Sequence, residues 1–176
     1  NKSPHFVAVI MGSASDLPIM QYTLDILNQL NIPYEVRILS AHRTPKQAQS
    51  YIEEAIQRNC QLFIAAAGMA AHLAGFVAAH TTKPVIGVPL PGSELNGVDA
   101  LLSTLQMPGG IPVATMSIGK AGAKNAALFA ASILAESNED IHSALVTFRA
   151  NQQQNVLNAD NDLQSRLEQH ECDNIT

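Results

Sequence analysis

The feature that most constrains this chain is an alternation. Short apolar runs rich in β-forming residues, each closed by a glycine or polar turn, take turns with longer segments whose apolar residues recur at helical spacing. The runs 6–11 (FVAVIM), 34–39 (YEVRIL), 62–67 (LFIAAA), 84–89 (PVIGVP) and 112–118 (PVATMSI) read as strands. The spans 17–30, 46–59, 71–80, 97–107 and 121–135 read as helices. Thr44 is placed as the N-cap of the second helix and Pro45 at its first position, where a missing N–H costs nothing. Central runs apolar at nearly every position suit strands covered on both faces, as in a parallel sheet between two helical layers. The expected fold is therefore α/β: a three-layer, flavodoxin-like doubly wound parallel sheet of five βα units with an extra C-terminal helix.

One domain accounts for the 176 residues. It is expected to span 1–160, closing with a helix from Ile141 to Leu157 whose apolar stripe is thin. That helix either packs on its own domain or reaches a neighbouring subunit, and the Ala/Gly-rich helices favour an oligomer. The polar stretch 161–176 is expected to fray. With 15 Asp+Glu against 10 Lys+Arg, the chain lacks the clustered cations of a nucleic-acid surface. The segment 62–80 is long enough to span a bilayer, but Gly68, His72 and Gly75 interrupt it, so strand, turn and helix explain it better. The N-terminal apolar stretch is too short for a signal peptide. Cys60 and Cys172 form no C-x-x-C pair and read as reduced thiols of a cytoplasmic protein.

In an open parallel sheet, ligands bind beyond the carboxyl ends of the strands. The residues following each predicted strand therefore carry the chemistry. After the first come Gly12, Ser13, Ser15 and Asp16; their backbone N–H groups and hydroxyls suit an anion, although Ser15 or Asp16 would equally serve as a helix cap. After the second, Arg43 offers a fixed positive charge for a phosphate, with Ser40 and Thr44 as further donors. His42 beside it is a residue type whose unperturbed pKa lies near physiological pH, which suits proton transfer. After the third, Gly68 lets a ligand approach the backbone, Met69 follows, and His72 opens a helix. The loop 12–16 is neither G-x-G-x-x-G nor a Walker sequence, and no G-x-S-x-G elbow is present. No histidine pair has metal-ligand spacing, so no metal is expected. The residues unaided support a non-metal, non-covalent acid/base site for a small phosphorylated molecule.

In fixed order the chain carries MGSASD, SAHRTP, AAGMAAHLAG, GVP, QMPGGIPVAT and IGKAGAKNAA. Together, over roughly residues 6 to 135, these motifs resemble the bacterial-type (class I) PurE family of N5-carboxyaminoimidazole ribonucleotide mutases. The resemblance implies transfer of the carboxylate of N5-carboxyaminoimidazole ribonucleotide from the exocyclic nitrogen to ring carbon C4, without ATP, metal or organic cofactor. It implies His42 as catalytic residue and Ser13, Asp16 and Arg43 as nucleotide ligands. It further implies a homo-octamer with sites at subunit junctions. The family loop often reads G-A-G-G-A-A-H-L-P-G; here Ala66, Met69 and Ala74 replace two glycines and the proline. Two rivals stand beside this reading: a direct aminoimidazole ribonucleotide carboxylase using CO2, which tends to carry Lys in place of Arg43, and a nucleotide-binding module without catalysis.

Overall fold

Five parallel strands pair in the order β2-β1-β3-β4-β5 in the computed structural model, which describes residues 5–173 and their side chains through residue 169. The strands are β1 (Phe6–Met11), β2 (Tyr34–Ile38), β3 (Cys60–Gly68), β4 (Val85–Leu90) and β5 (Ala114–Thr115). The helices are α1 (Leu17–Gln29), α2 (Pro45–Gln57), α3 (Leu73–Ala79), α4 (Val98–Leu105), α5 (Lys120–Ala135) and α6 (Glu139–Asp173). This is the flavodoxin-like doubly wound sheet, with its topological switch at the β1/β3 pair.

Every residue of β1 and β4 is buried, as continuous apolar runs require at the centre of a three-layer sandwich. Val7, Val9, Met11, Leu62 and Ile64 pack beneath α1 and α5, while Ala8, Ile10, Phe63 and Ala65 pack beneath α2 and α3. Burying each large aliphatic or aromatic side chain contributes about 1.5–3 kcal/mol. Helix α5 presents Ala123, Ala126, Ala127, Ala130 and Ala131, all fully buried, so its backbone lies close to the sheet. The buried Thr23 hydroxyl of α1 donates to the Ala123 carbonyl at 2.7 Å and ties the two helices together.

Several boundaries differ from expectation. Strand β5 has two residues rather than the run 112–118, because Pro112 lacks an N–H and this edge strand has one neighbour. Its continuation leaves regular pairing but keeps backbone bonds from Met116 N–H to the Gly87 carbonyl and from Gly119 N–H to the Pro89 carbonyl, each 2.9 Å. Helix α3 starts at Leu73, since the residues before it form a loop. Helix α6 runs to Asp173, well past 157, with every described side chain from 149 onward exposed. Residues 174–176 of the expected tail, and the Cys172 side chain, lie outside what is described.

Candidate active site

Three turns leaving the carboxyl ends of β1, β2 and β3 build the site. The first runs through Gly12 and Ser13 into a 3-10 turn, Ala14–Asp16. Ser13 is its N-cap: the Ser13 hydroxyl oxygen accepts from the Ser15 N–H at 3.3 Å and from the Ser15 hydroxyl at 2.9 Å. The Asp16 carboxylate reaches back to accept the Ser13 N–H at 2.9 Å, completing a capping box. The Asp16 N–H in turn bonds to the Ser13 carbonyl at 3.2 Å. The backbone donors of Ser13, Ser15 and Asp16, which the sequence offered to an anion, are therefore committed within the turn.

The second turn is closed by Thr44. Its hydroxyl accepts the Ser40 N–H at 2.9 Å and donates to the Ser40 carbonyl at 3.2 Å. Thr44 holds the N-cap position of α2 but makes no side-chain cap bond, because that hydroxyl is spent on the turn; for the same reason it is no spare donor for a ligand. The Ser40 hydroxyl oxygen accepts the Arg43 N–H at 3.1 Å and keeps its own hydrogen to donate. This tight geometry leaves His42 and Arg43 exposed. The Arg43 guanidinium donates to the Gly12 carbonyl at 3.2 Å, bridging the first two turns.

The third turn departs from Gly68, where an added Cβ would stand 3.3 Å from the Leu90 carbonyl oxygen of the neighbouring strand. Met69 follows at φ +56°, a left-handed conformation costing a non-glycine residue about 1–2 kcal/mol, with its side chain 63% exposed. Helix α4 braces this loop: the Ser103 hydroxyl oxygen accepts the Ala71 N–H at 2.9 Å and donates to the Asp99 carbonyl at 2.6 Å. Sequence inspection had no means of finding Ser103, an isolated serine on an amphipathic helix. Beyond the loop His72 meets His42, with His42 Nε2 and His72 Nδ1 2.8 Å apart and the rings edge-to-face at 4.9 Å. Linear spacing gave no sign of this pair either.

Of the residues singled out from the sequence, Gly12, Ser13, Ser15, Asp16, Ser40, His42, Arg43, Gly68, Met69 and His72 line one cleft of about 690 Å³, and Thr44 does not. Pro91 and Gly92, after β4, complete its rim. A hollow of similar size, about 700 Å³, lies at the opposite edge of the sheet between the start of β1 and the α5–α6 junction, without any arginine or paired histidine. Burial pushes the Asp16 carboxyl above its ordinary value, against the opposing pull of the Ser13 N–H and the Arg43 charge. Outside the cleft, burial pushes the Cys60 thiol up to about 11. Among the described residues no group of three or more His, Cys, Asp or Glu could hold a metal ion, and no helix is long and apolar enough to cross a membrane.

A family model described as AIR carboxylase matches residues 6–155. The chain is 56% identical over 151 residues to an N5-carboxyaminoimidazole ribonucleotide mutase of Pseudomonas aeruginosa, covering 86% of this chain and 93% of that protein. It is 54% identical over 157 residues to the mutase of the same description from Bacillus subtilis, covering 89% and 97%. The crystal structure of Treponema denticola PurE superposes with a TM-score of 0.81 at 31% identity, covering 91% of this chain and 99% of that one.

Proposed function

The chain belongs to the AIR carboxylase family, and from that premise we propose that it is an N5-carboxyaminoimidazole ribonucleotide mutase of purine biosynthesis. It moves the substrate carboxylate from the exocyclic nitrogen to ring carbon C4. The observation that carries this reading to the residues is convergence: His42, Arg43 and the Ser13–Asp16 turn share one cleft at the carboxyl edge of the sheet.

Arg43 anchors the 5′-phosphate, with the hydroxyls of Ser40 and Ser13 as further donors; the Ser15 hydroxyl, which the sequence offered here, already donates to Ser13. Asp16 accepts from the ribose hydroxyls. The carbon–nitrogen bond of the carbamate breaks, giving CO2 and aminoimidazole ribonucleotide, and His42 protonates the departing nitrogen. The ring is an enamine, so C4 attacks the CO2, and His42 takes the C4 proton to restore aromaticity. One proton goes out and one returns, so the step balances with no cofactor. General acid/base work of this kind contributes about 10²–10⁴-fold, or about 3–5 kcal/mol. The loop of Gly68, Met69 and His72 encloses the CO2 between the two half-steps.

The working form on this reading is a homo-octamer in the cytoplasm, with sites at subunit junctions. Two features support a partner at the cleft: His42, Arg43 and Met69 stand exposed in the lone chain, and Leu95, Val98, Leu102 and Leu105 are exposed apolar residues on and just before the outer face of α4. The test of function is incubation with N5-carboxyaminoimidazole ribonucleotide, without ATP, while following the C4-carboxylated product. Turnover is expected; comparable turnover from aminoimidazole ribonucleotide and bicarbonate would reassign the chain as a direct carboxylase.

A further inference from the structure

His42 sits exposed on a turn, and an exposed imidazole samples several ring orientations and both tautomers. Among the described residues its one hydrogen-bond partner is His72, at 2.8 Å from His42 Nε2 to His72 Nδ1. His72 is exposed too, but its backbone stands on firmer ground. Its N–H bonds to the Ala70 carbonyl and its carbonyl accepts the Phe76 N–H, each at 2.8 Å, while Ser103 of α4 pins the preceding residue. Resting on the mutase reading of the cleft, we propose that His72 is a positioning residue for His42: its ring fixes the plane and tautomer of the catalytic imidazole, so that proton exchange with substrate runs through His42 Nδ1.

The geometry dictates that choice of nitrogen. With Nε2 engaged, Nδ1 is the ring nitrogen of His42 left without a protein partner among the described residues. Two ring nitrogens in direct contact need one donor and one acceptor, so the contact ties the tautomer of one ring to that of the other. The charged groups around it are Arg43 on the same turn and Asp16 across the cleft. Helix α3 contributes none, the Pro91–Gly92 rim none, and α4 only Asp99, whose carboxylate accepts the Ser93 hydroxyl at 2.8 Å.

The test pairs kinetics with nitrogen NMR of histidine-labelled protein, the His42 signals being identified by their loss in His42→Asn. In His72→Ala, kcat should fall about tenfold to a hundredfold while KM moves less than about threefold, and the pH limb of kcat should shift. His72→Asn, whose amide can restore a hydrogen bond near the Nδ1 position, should recover most of the loss. His42 should be locked in one tautomer in the wild type and mixed in His72→Ala. A His72→Ala protein that loses activity through KM alone, with its pH profile unmoved, overturns the proposal. So does an unchanged His42 tautomer ratio, which can be read whether or not the wild type turns over. A wild type with a locked tautomer but no conversion of substrate would instead remove the mutase reading, and with it the catalytic half of the inference.

Discussion

His42 and Arg43 are neighbours in the chain to which the proposed mechanism gives separable work, and single substitutions should divide them. His42→Asn removes the titrating group and should lower kcat by about 10²–10⁴-fold with KM little changed. Arg43→Lys keeps the charge but loses the planar fork and its bridge to Gly12, so KM should rise about tenfold while kcat holds, as steady-state kinetics would report. Asp16 is a case where function and stability pull apart. Its folded-state carboxyl titrates above its ordinary value, so its contribution to stability is fully present below the unfolded value and is lost as pH rises through the folded one. Asp16→Asn should therefore melt no lower than the parent at pH 7 while binding substrate more weakly; a clear drop in melting temperature would mean that the capping box outweighs the burial cost. The positions of these residues were legible because each directly follows a strand. Their partners were not: the Thr44 hydroxyl, the Ser103 brace and the His42–His72 contact are products of tertiary proximity, which no local pattern encodes.

Among the elements, strands β1, β3 and β4 and the helices packed on them were readable because burial on both faces leaves an apolar run, whereas β2, partly exposed and carrying Glu35 and Arg37, stood out by its β-forming residues. Strand β5 was over-read: an apolar stretch at a sheet edge looks the same in sequence whether or not its N–H groups find partners. The start of α5 illustrates what sequence alone cannot weigh. A Cβ added at Gly122 would fall 1.6 Å from the Ser117 carbonyl oxygen, far inside contact distance. Gly122→Ala should cost about 3 kcal/mol, measured by urea denaturation, since backbone rather than a movable side chain blocks the space. On the sheet edge, Arg58 holds Glu35 through two hydrogen bonds, and this pulls the Glu35 carboxyl below its ordinary value. That stabilisation is present above the unfolded glutamate value and is lost as pH falls through the lowered one. Because the pair is more than a third exposed, Arg58→Ala should cost only about 0.5–1 kcal/mol at pH 7, and less in acid.

At the scale of the whole molecule, the ends are less determined than the middle. The second half of α6 leaves the body of the domain, with Val156 70% exposed and Leu163 and Leu167 each 51% exposed. A helix held only by its own backbone bonds is marginal in water. Amides of residues 161–169 should exchange with deuterium far faster than those of Ala126–Ala131 in the buried face of α5; equal protection would mean that a neighbouring subunit covers the arm. The proposed chemistry of the cleft rests on one claim, that carboxylate transfer happens within a single bound nucleotide. The most direct measurement supplies N5-carboxyaminoimidazole ribonucleotide carrying ¹³C in its carboxylate, in unlabelled bicarbonate and without ATP, and follows the label through the first turnovers. Retention of ¹³C in the C4 carboxylate is the predicted result; a product carrying the bicarbonate carbon from the start would contradict the account.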